Sequence, residues 1–338
     1  MGELLNPKVS VIIPTKNGGA LLRSVVDQVL NQKSDFDYDL TIIDSGSTDG
    51  VIEAIAKIDN PKIQIIRITP EEFGHGRTRN QAISKTTGEY IAVITQDATP
   101  ASSYWLQNLV QVIEQDSRIA GVFGRHFTYP EADIFTKRDF QMHFDSFLED
   151  PVVWLEDDNR YQVDQHYRQK LHFFSDNNAL LRRLVWEQIP YPEVSFAEDQ
   201  QWAKLVVEAG WKKAYSDQGA VFHSHNYSLI DLFRRSIDES RAMKKYFNYK
   251  LSPSLINVLR SWVGFSVQDS KYALSMRKSV ARNLVPLFSQ YVRNLLKPLG
   301  HHIGNKYSEM PLGLVRFLSY DYRLRTGKRK GGGFAPIK

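Results

Sequence analysis

The sequence predicts an α/β fold, a mainly parallel sheet flanked by helices, followed by a basic and mostly helical C-terminal region. Three observations carry that expectation. Short β-branched runs alternate with stretches of helical periodicity over the first hundred residues. Those runs are almost continuously apolar, as strands covered on both faces must be. Charge, finally, is divided unevenly: residues 241–338 hold 19 Lys or Arg against three acids (Asp269, Glu309, Asp321), a net +16, so residues 1–240 carry −11 of the overall +5. An acidic front and a basic tail predict two jobs, with an anionic surface as the partner of the tail.

The elements follow in order. Lys8 to Ile13 is short and β-branched, ends at Pro14, and precedes Leu21, Leu22, Val25, Val26, Val29 and Leu30 at helical spacing, which predicts strand, loop, helix. The unit repeats with Leu40 to Ile43 and a helix over 49–57. Ile63 to Ile66 is a third strand, a helix follows near 77–86, and Tyr90 to Ile94 is a fourth strand. Between 130 and 175 the periodicity weakens and aromatics accumulate, as in long loops and helices laid over a sheet. Leu180 to Ile189 and Asp199 to Ala209 read as helices, and Gly219 to Phe222 as a short final strand before His223-Ser224-His225. Beyond Leu229 the pattern is basic and amphipathic, with Leu284, Phe288, Tyr291, Val292 and Leu295 among Arg282, Arg293 and Lys297. We therefore expect a catalytic domain over 1–228, a helical region over 229–338, and disorder at 328–338.

Composition removes several classes. A 338-residue chain with 42% hydrophobic side chains is globular, and the absence of cysteine excludes disulfide scaffolds, thiolate zinc sites, iron–sulfur clusters and cysteine nucleophiles. Residues 1–13 do not read as a secretory signal, and no run approaches the ~18–20 apolar residues of a membrane span, so a cytoplasmic location is expected.

Ligands of parallel sheets bind beyond the carboxyl ends of the strands. Here those ends carry Pro14-Thr15-Lys16-Asn17, Asp44-Ser45-Gly46-Ser47-Thr48-Asp49 and Thr95-Gln96-Asp97-Ala98. The second segment offers a carboxylate and hydroxyls suited to a base and ribose, although helix capping uses the same residue types. Neither G-x-G-x-x-G after the first strand nor G-x-x-x-x-G-K-[ST] occurs, so dehydrogenases and P-loop NTPases lack their phosphate cradle. Asp97, at a strand end, suits a hard divalent cation, and an imidazole from His223 or His225 would complete a shell better matched to Mn²⁺ than a pure oxygen set. Glu198 and Asp199 open a helix, where either would act as a general base or merely stabilise the helix dipole. Gly74-His75-Gly76-Arg77-Thr78-Arg79-Asn80 opens another helix, with amides and guanidinium groups suited to an anion.

Together these pieces resemble the family 2 glycosyltransferases of GT-A (Rossmann-like) fold, over roughly residues 8–228. Val9-Ser10-Val11-Ile12-Ile13-Pro14-Thr15-Lys16-Asn17 resembles the family's first strand and P-T-x-N loop. Asp44-Ser45-Gly46-Ser47-Thr48-Asp49-Gly50 resembles its D-D-G-S-x-D loop, with Ser45 in place of the second carboxylate. Glu198-Asp199 resembles the E-D motif, which implies Asp199 as the catalytic base, and Val221-Phe222-His223 resembles the strand-end histidine of the metal shell. The family's D-x-D motif is Thr95-Gln96-Asp97 here, keeping only the second carboxylate. The resemblance implies Mg²⁺ or Mn²⁺ on Asp97 with His223 or His225, and a nucleotide-sugar donor on Pro14, Thr15, Lys16, Asn17, Asp44, Ser47, Arg77, Arg79, Asn80, Gln96 and Asp97. It also implies a donor-sugar and acceptor cleft at Asp176, Asn177 and Asn178.

The T-Q-D-A, F-G-H-G-R-T-R-N and H-S-H-N-Y-S segments are similar to those of a bacterial rhamnosyltransferase subgroup. That likeness implies transfer of L-rhamnose from dTDP-β-L-rhamnose, with inversion, to a glycan or undecaprenyl-diphosphate-linked acceptor of O-antigen or other cell-surface polysaccharide. Peripheral association with the inner face of the cell membrane is then expected through the basic tail, with Trp262, Phe265, Leu284, Phe288 and Tyr291 as apolar contacts. A helical core or a homo-oligomer interface is the alternative use of these residues, and no nucleic-acid partner is expected. A UDP-sugar donor, a sugar nucleotidyltransferase and a noncatalytic nucleotide- or nucleic-acid-binding scaffold are the other readings.

Overall fold

The computed structural model describes residues 7–194, 196–276, 280–306 and 310–325, so the segment 328–338, expected to be disordered, lies outside the described residues. The chain divides into two compact units, Met1–Ala132 with Thr136–Ser224, and Asp133–Phe135 with His225–Lys338.

The first unit is built on strands β1 (Val9–Thr15), β2 (Tyr38–Asp44), β3 (Ile63–Arg67), β4 (Tyr90–Ile94), β5 (Thr99–Pro100), β6 (Ile119–Phe127), β7 (Val152–Val153), β8 (Asn178–Arg182) and β9 (Lys212–Phe222). They form one sheet in the order β3-β2-β1-β4-β8-β6-β9-β5, with β7 on β9. The helices interleaved with them are α1 (Gly19–Leu30), α2 (Val51–Ala56), α3 (His75–Ile83), α4 (Trp105–Ile113), α5 (Ile134–Asp145), α6 (Asp158–Val163), α7 (Gln165–His172), α8 (Arg183–Gln188) and α9 (Glu198–Glu208).

Alternation along β1 explains the layers. Val9, Val11 and Ile13 join one core with Leu22, Val25 and Val29 of α1 and Trp105 of α4. Ile12 faces the other way, into a core with Ala82 and Ile83 of α3 and Trp202 and Val206 of α9. Side chains of a strand alternate faces, so a strand with helices on both sides must be apolar throughout.

Strand direction places the site. β1, β2, β3 and β4 pair in parallel; β8 runs antiparallel to both β4 and β6, and β9 is parallel to β6. The carboxyl ends of β1, β2, β4, β6 and β9 and the amino end of β8 therefore share one edge. Two expectations are corrected here. Leu180 and Leu181 belong to β8 and only Arg183–Gln188 is helical, because the apolar run Ala179-Leu180-Leu181 is buried between β4 and β6. The last strand spans the eleven residues Lys212–Phe222, since its polar positions pair with β6 as well as its apolar end.

The second unit is helical: α10 (Leu229–Phe247), α11 (Leu255–Ser275), α12 (Val280–Asn305), α13 (Leu312–Leu318) and α14 (Tyr320–Arg325). Ser228 caps α10 by accepting from the Asp231 N–H, and Ser254 caps α11 by accepting from Asn257. Gly300 and Gly304 let α12 approach α10 closely, because a Cβ at these positions would lie 2.7 Å from Phe233 O and 2.5 Å from Ile237 O. No described helix is long and apolar enough to cross a membrane.

Candidate active site

Three loops at the shared sheet edge are tied into one rim. The Gln96 side-chain carbonyl accepts from Thr15 Oγ1 at 2.6 Å and from the Lys16 N–H at 2.9 Å. The Asn17 N–H donates to Ser47 Oγ (2.8 Å), and Asn17 Oδ1 accepts from the Thr48 N–H (2.7 Å). Asp44 accepts from Ser47 Oγ at 2.5 Å and from the Ser47 N–H at 3.1 Å, while Asp49 accepts from the Gly19 N–H at 2.8 Å. Asn17 holds a left-handed backbone (φ 51°), which turns the chain out of β1 into this contact. Pro14, Thr15, Lys16, Asn17, Asp44, Ser47 and Gln96 are thus brought together at the ends of β1, β2 and β4, with Lys16 and Asn17 exposed and Asp44 buried. Gln96, between Thr95 in the place of the first D-x-D carboxylate and Asp97 in the place of the second, anchors the β1 loop without adding charge.

Asp97 lies next along this edge. Its carboxylate stands 3.7 Å from His223 Nε2, and its carbonyl accepts from the Tyr129 hydroxyl at 3.1 Å. Tyr129, just past β6, also takes its N–H to Ser224 Oγ (3.1 Å), so it links the ends of β4 and β9. Behind His223 stands His126, ring centroids 5.3 Å apart and nearly perpendicular. Burial, reinforced by the charges that His223 and His143 would carry, pushes His126 well below the ordinary histidine range, so it is neutral. Its Nε2 is buried without a hydrogen-bond partner among the described residues. A half-exposed carboxylate facing an imidazole nitrogen fits a divalent cation of the Mg²⁺ or Mn²⁺ type. His225 is the first residue of the second unit.

A second acidic group is buried at the amino end of β8. Arg79, from the middle of α3, is only 4% exposed and pairs with Asp176 at 2.6 Å and Glu198 at 3.1 Å. Glu198 also faces His75 Nδ1 at 3.7 Å. The Asp176 N–H points to Asp199 Oδ2 at 3.4 Å, and the Thr95 N–H to the Asn177 carbonyl at 3.4 Å, which connects this cluster to the Thr95-Gln96-Asp97 segment. Gly76 makes the packing possible, since a Cβ there would lie 2.2 Å from Pro192 O.

One guanidinium faces three carboxylates here. Burial, and then the charges of Asp176 and Glu198, push Asp199 well above the usual carboxylate range against the pull of the Gln200 N–H and Arg79. Burial raises Asp176 to about 6 against the pull of Arg79. Burial opposes the charge on Arg79, but its two partner acids hold it protonated. The Tyr191 hydroxyl is buried beside these groups without a hydrogen-bond partner among the described residues, and burial with the neighbouring acids keeps it a neutral phenol.

Three expected ligand contacts are corrected by this geometry. Arg79 is spent on Asp176 and Glu198 and does not reach the open edge. Asn80 gives both ends of its amide to the chain around Tyr191, donating to Tyr191 O and accepting from Trp186 Nε1 and the Tyr191 N–H. Asn178 is fully buried, accepting from Trp105 Nε1 (2.8 Å) and donating to Gly219 O (2.7 Å), so it pins the core and does not line a cleft. Arg77 is exposed, and its guanidinium donates to the carbonyls of Glu71 and Phe73. Tyr129, His126 and Tyr191 were not anticipated; no local pattern marks them, because each acts through a partner far away in sequence.

Known proteins sharpen this picture. The family model for glycosyl transferase family 2 matches residues 10–189. The O-antigen chain rhamnosyltransferase RfbN of Salmonella typhimurium is 28% identical over 330 residues, covering 92% of this chain and 94% of its own. The O-antigen chain rhamnosyltransferase WbaN of Salmonella anatum is 26% identical over 329 residues, covering 93% and 94%. Among solved structures, a mannosyltransferase from Pyrobaculum calidifontis in complex with GDP-Man and Mn²⁺ superposes with a TM-score of 0.58 at 18% identity, over 91% of this chain and 89% of that one, a likeness of fold.

Proposed function

This chain belongs to glycosyltransferase family 2, and from that premise we propose that it is an inverting rhamnosyltransferase using dTDP-β-L-rhamnose. Its acceptor is a hydroxyl of a lipid-linked or free glycan of cell-surface polysaccharide, presented at the inner face of the cell membrane. Likeness to two O-antigen chain rhamnosyltransferases over more than nine-tenths of the chain supports the sugar. The single observation that carries the chemistry is Asp199, half-buried and joined through Asp176 and Asn177 to the segment that bears Asp97.

In this reading the rim of Thr15, Asn17, Asp44 and Ser47 holds the nucleoside. Asp97 and His223 would hold the metal ion. A divalent ion bound there supplies neutralisation of the charge that develops on the departing nucleoside diphosphate. Asp199 accepts the proton of the acceptor hydroxyl as that oxygen bonds to the anomeric carbon from the face opposite the leaving group. The anomeric carbon–oxygen bond breaks, its electron pair leaves with the diphosphate, and a β-linked donor gives an α-rhamnoside. A raised pKa makes Asp199 a stronger base than an ordinary carboxylate, and requires it to be ionised first. Arg79 is the positioning residue, paired with Asp176 and Glu198 beside it.

Calorimetry tests the donor. dTDP-rhamnose is expected to bind more tightly than UDP- or GDP-sugars, and more tightly with Mn²⁺ than without. Tighter binding of a UDP-sugar would retain the transferase and overturn the rhamnose assignment, and a retained anomeric configuration in the product would overturn inversion.

A further inference from the structure

Helix α11 is built inside out. Its inward face makes polar contacts with α12: Trp262 Nε1 donates to Tyr291 O (3.1 Å), Ser270 Oγ meets the Tyr291 hydroxyl (2.6 Å), and Asn294 Nδ2 donates to the buried Asp269 (2.6 Å). Its outward face carries Ile256, Leu259, Val263, Val267 and Leu274, each 48–63% exposed. Spacings of three, four and seven residues align these side chains in one stripe, the reverse of a surface helix that buries its apolar side. Twenty-one residues make this stripe about 30 Å long, and Phe288 of α12 adds a further exposed aromatic ring.

The charge beside the stripe says what covers it. Arg260 and Lys271 are exposed on the same helix, whose only acid, Asp269, is buried against Asn294. The whole segment from Arg241 to Lys338 carries +16. Two copies meeting through this face would bring their basic rims together with no acid on the helix to pair with them. A bilayer of anionic phospholipid offers acyl chains to the stripe and negative headgroups to the rim.

We infer that the outward face of α11 docks this protein on anionic phospholipid membrane, with the helix lying in the plane of the interface. The inference deepens the lipid-linked acceptor reading above and assigns its membrane contact to residues other than those expected. Trp262 and Tyr291 point inward, Phe265 and Phe288 are exposed, and the side chain of Leu284 lies outside the described residues.

The test is co-sedimentation of the full chain with vesicles of phosphatidylcholine, with and without phosphatidylglycerol. Three proteins are compared: wild type, Leu259→Glu with Val263→Glu, and Arg260→Glu with Lys271→Glu. All four positions are exposed, and matching far-UV dichroism checks that each variant folds. Wild type is expected to bind only the phosphatidylglycerol vesicles. The apolar pair should lower partitioning at least ~10-fold, and the basic pair at least ~10-fold at low salt with little difference at high salt. Failure of wild type to bind, or unchanged binding by the apolar variant, would overturn the inference. So would a concentration-dependent dimer in light scattering that the apolar variant abolishes, which would make a second copy the occupant. Donor calorimetry on the same proteins separates the two readings: lost vesicle binding with intact donor binding is expected of the apolar variant, whereas wild type that binds vesicles but no nucleotide sugar would overturn the transferase reading alone.

Discussion

Two groups of carboxylates share one edge of the sheet, and their surroundings differ. Asp97 is half-exposed at a loop, faced by the His223 imidazole, which is backed by the neutral His126. Asp176 and Glu198 are buried and Asp199 half-buried around a single guanidinium, and desolvation with mutual repulsion raises Asp176 and Asp199. The same functional group is thereby suited to two tasks. An open carboxylate suits a cation that arrives with substrate; a desolvated one with a raised pKa suits proton transfer. The difference lies in desolvation and counter-charge, which residue type alone does not carry.

The strongest way to break that division is Asp199→Asn. It is expected to lower kcat by ~10²–10⁴-fold while the donor Kd stays unchanged; an equal loss of donor affinity would mean that the buried group also binds the donor. Asn178→Ala probes the core beneath that edge, since it leaves Trp105 Nε1 and Gly219 O without their partner. Loss of about 2–4 kcal/mol in urea unfolding is expected, with donor affinity retained by the folded fraction.

Asp97→Ala should weaken donor binding at least ~10-fold in the presence of Mn²⁺ and leave metal-free binding nearly unchanged, as read by calorimetry. Arg79→Met sharpens the account of the buried side. Asp199 must be ionised to act, so kcat/KM should fall as pH drops below its raised pKa. Arg79 lowers that pKa, so its loss should move the acidic limb to higher pH. Arg79→Lys, which keeps the charge, should restore the limb, whereas a purely structural role would change the amplitude and not the position. Gln96→Ala is the mildest change. It frees Thr15 and the Lys16 N–H from their shared acceptor and should weaken donor binding by ~3–10-fold, with kcat for bound donor unaffected.

The rim was legible in the sequence because its residues sit within a few positions of strand ends, where alternation and turn chemistry locate them. Thr15, Asp44, Gln96 and Asp97 fall where the apolar runs stop. The buried side was only half legible. Asp199 stood out at the start of a helical pattern, but the commitment of Arg79 to Asp176, and of Asn80 to the chain near Tyr191, joins residues about a hundred positions apart. Leu180 failed differently: five apolar-rich residues fit a helix or a buried strand equally well, and only pairing with β4 and β6 decides between them.

The sequence by itself determined the layered α/β architecture, the sheet edge at which chemistry occurs, and the uneven charge. Each follows from short-range periodicity, strand-end position or counting. Tertiary structure decided which polar residues are free to meet a ligand and which are consumed by the fold, and which side of α11 faces outward. A hydrogen-bonding side chain looks the same in sequence whether its partner is substrate or a distant carbonyl. Only packing determines whether water, and hence a ligand, can reach it.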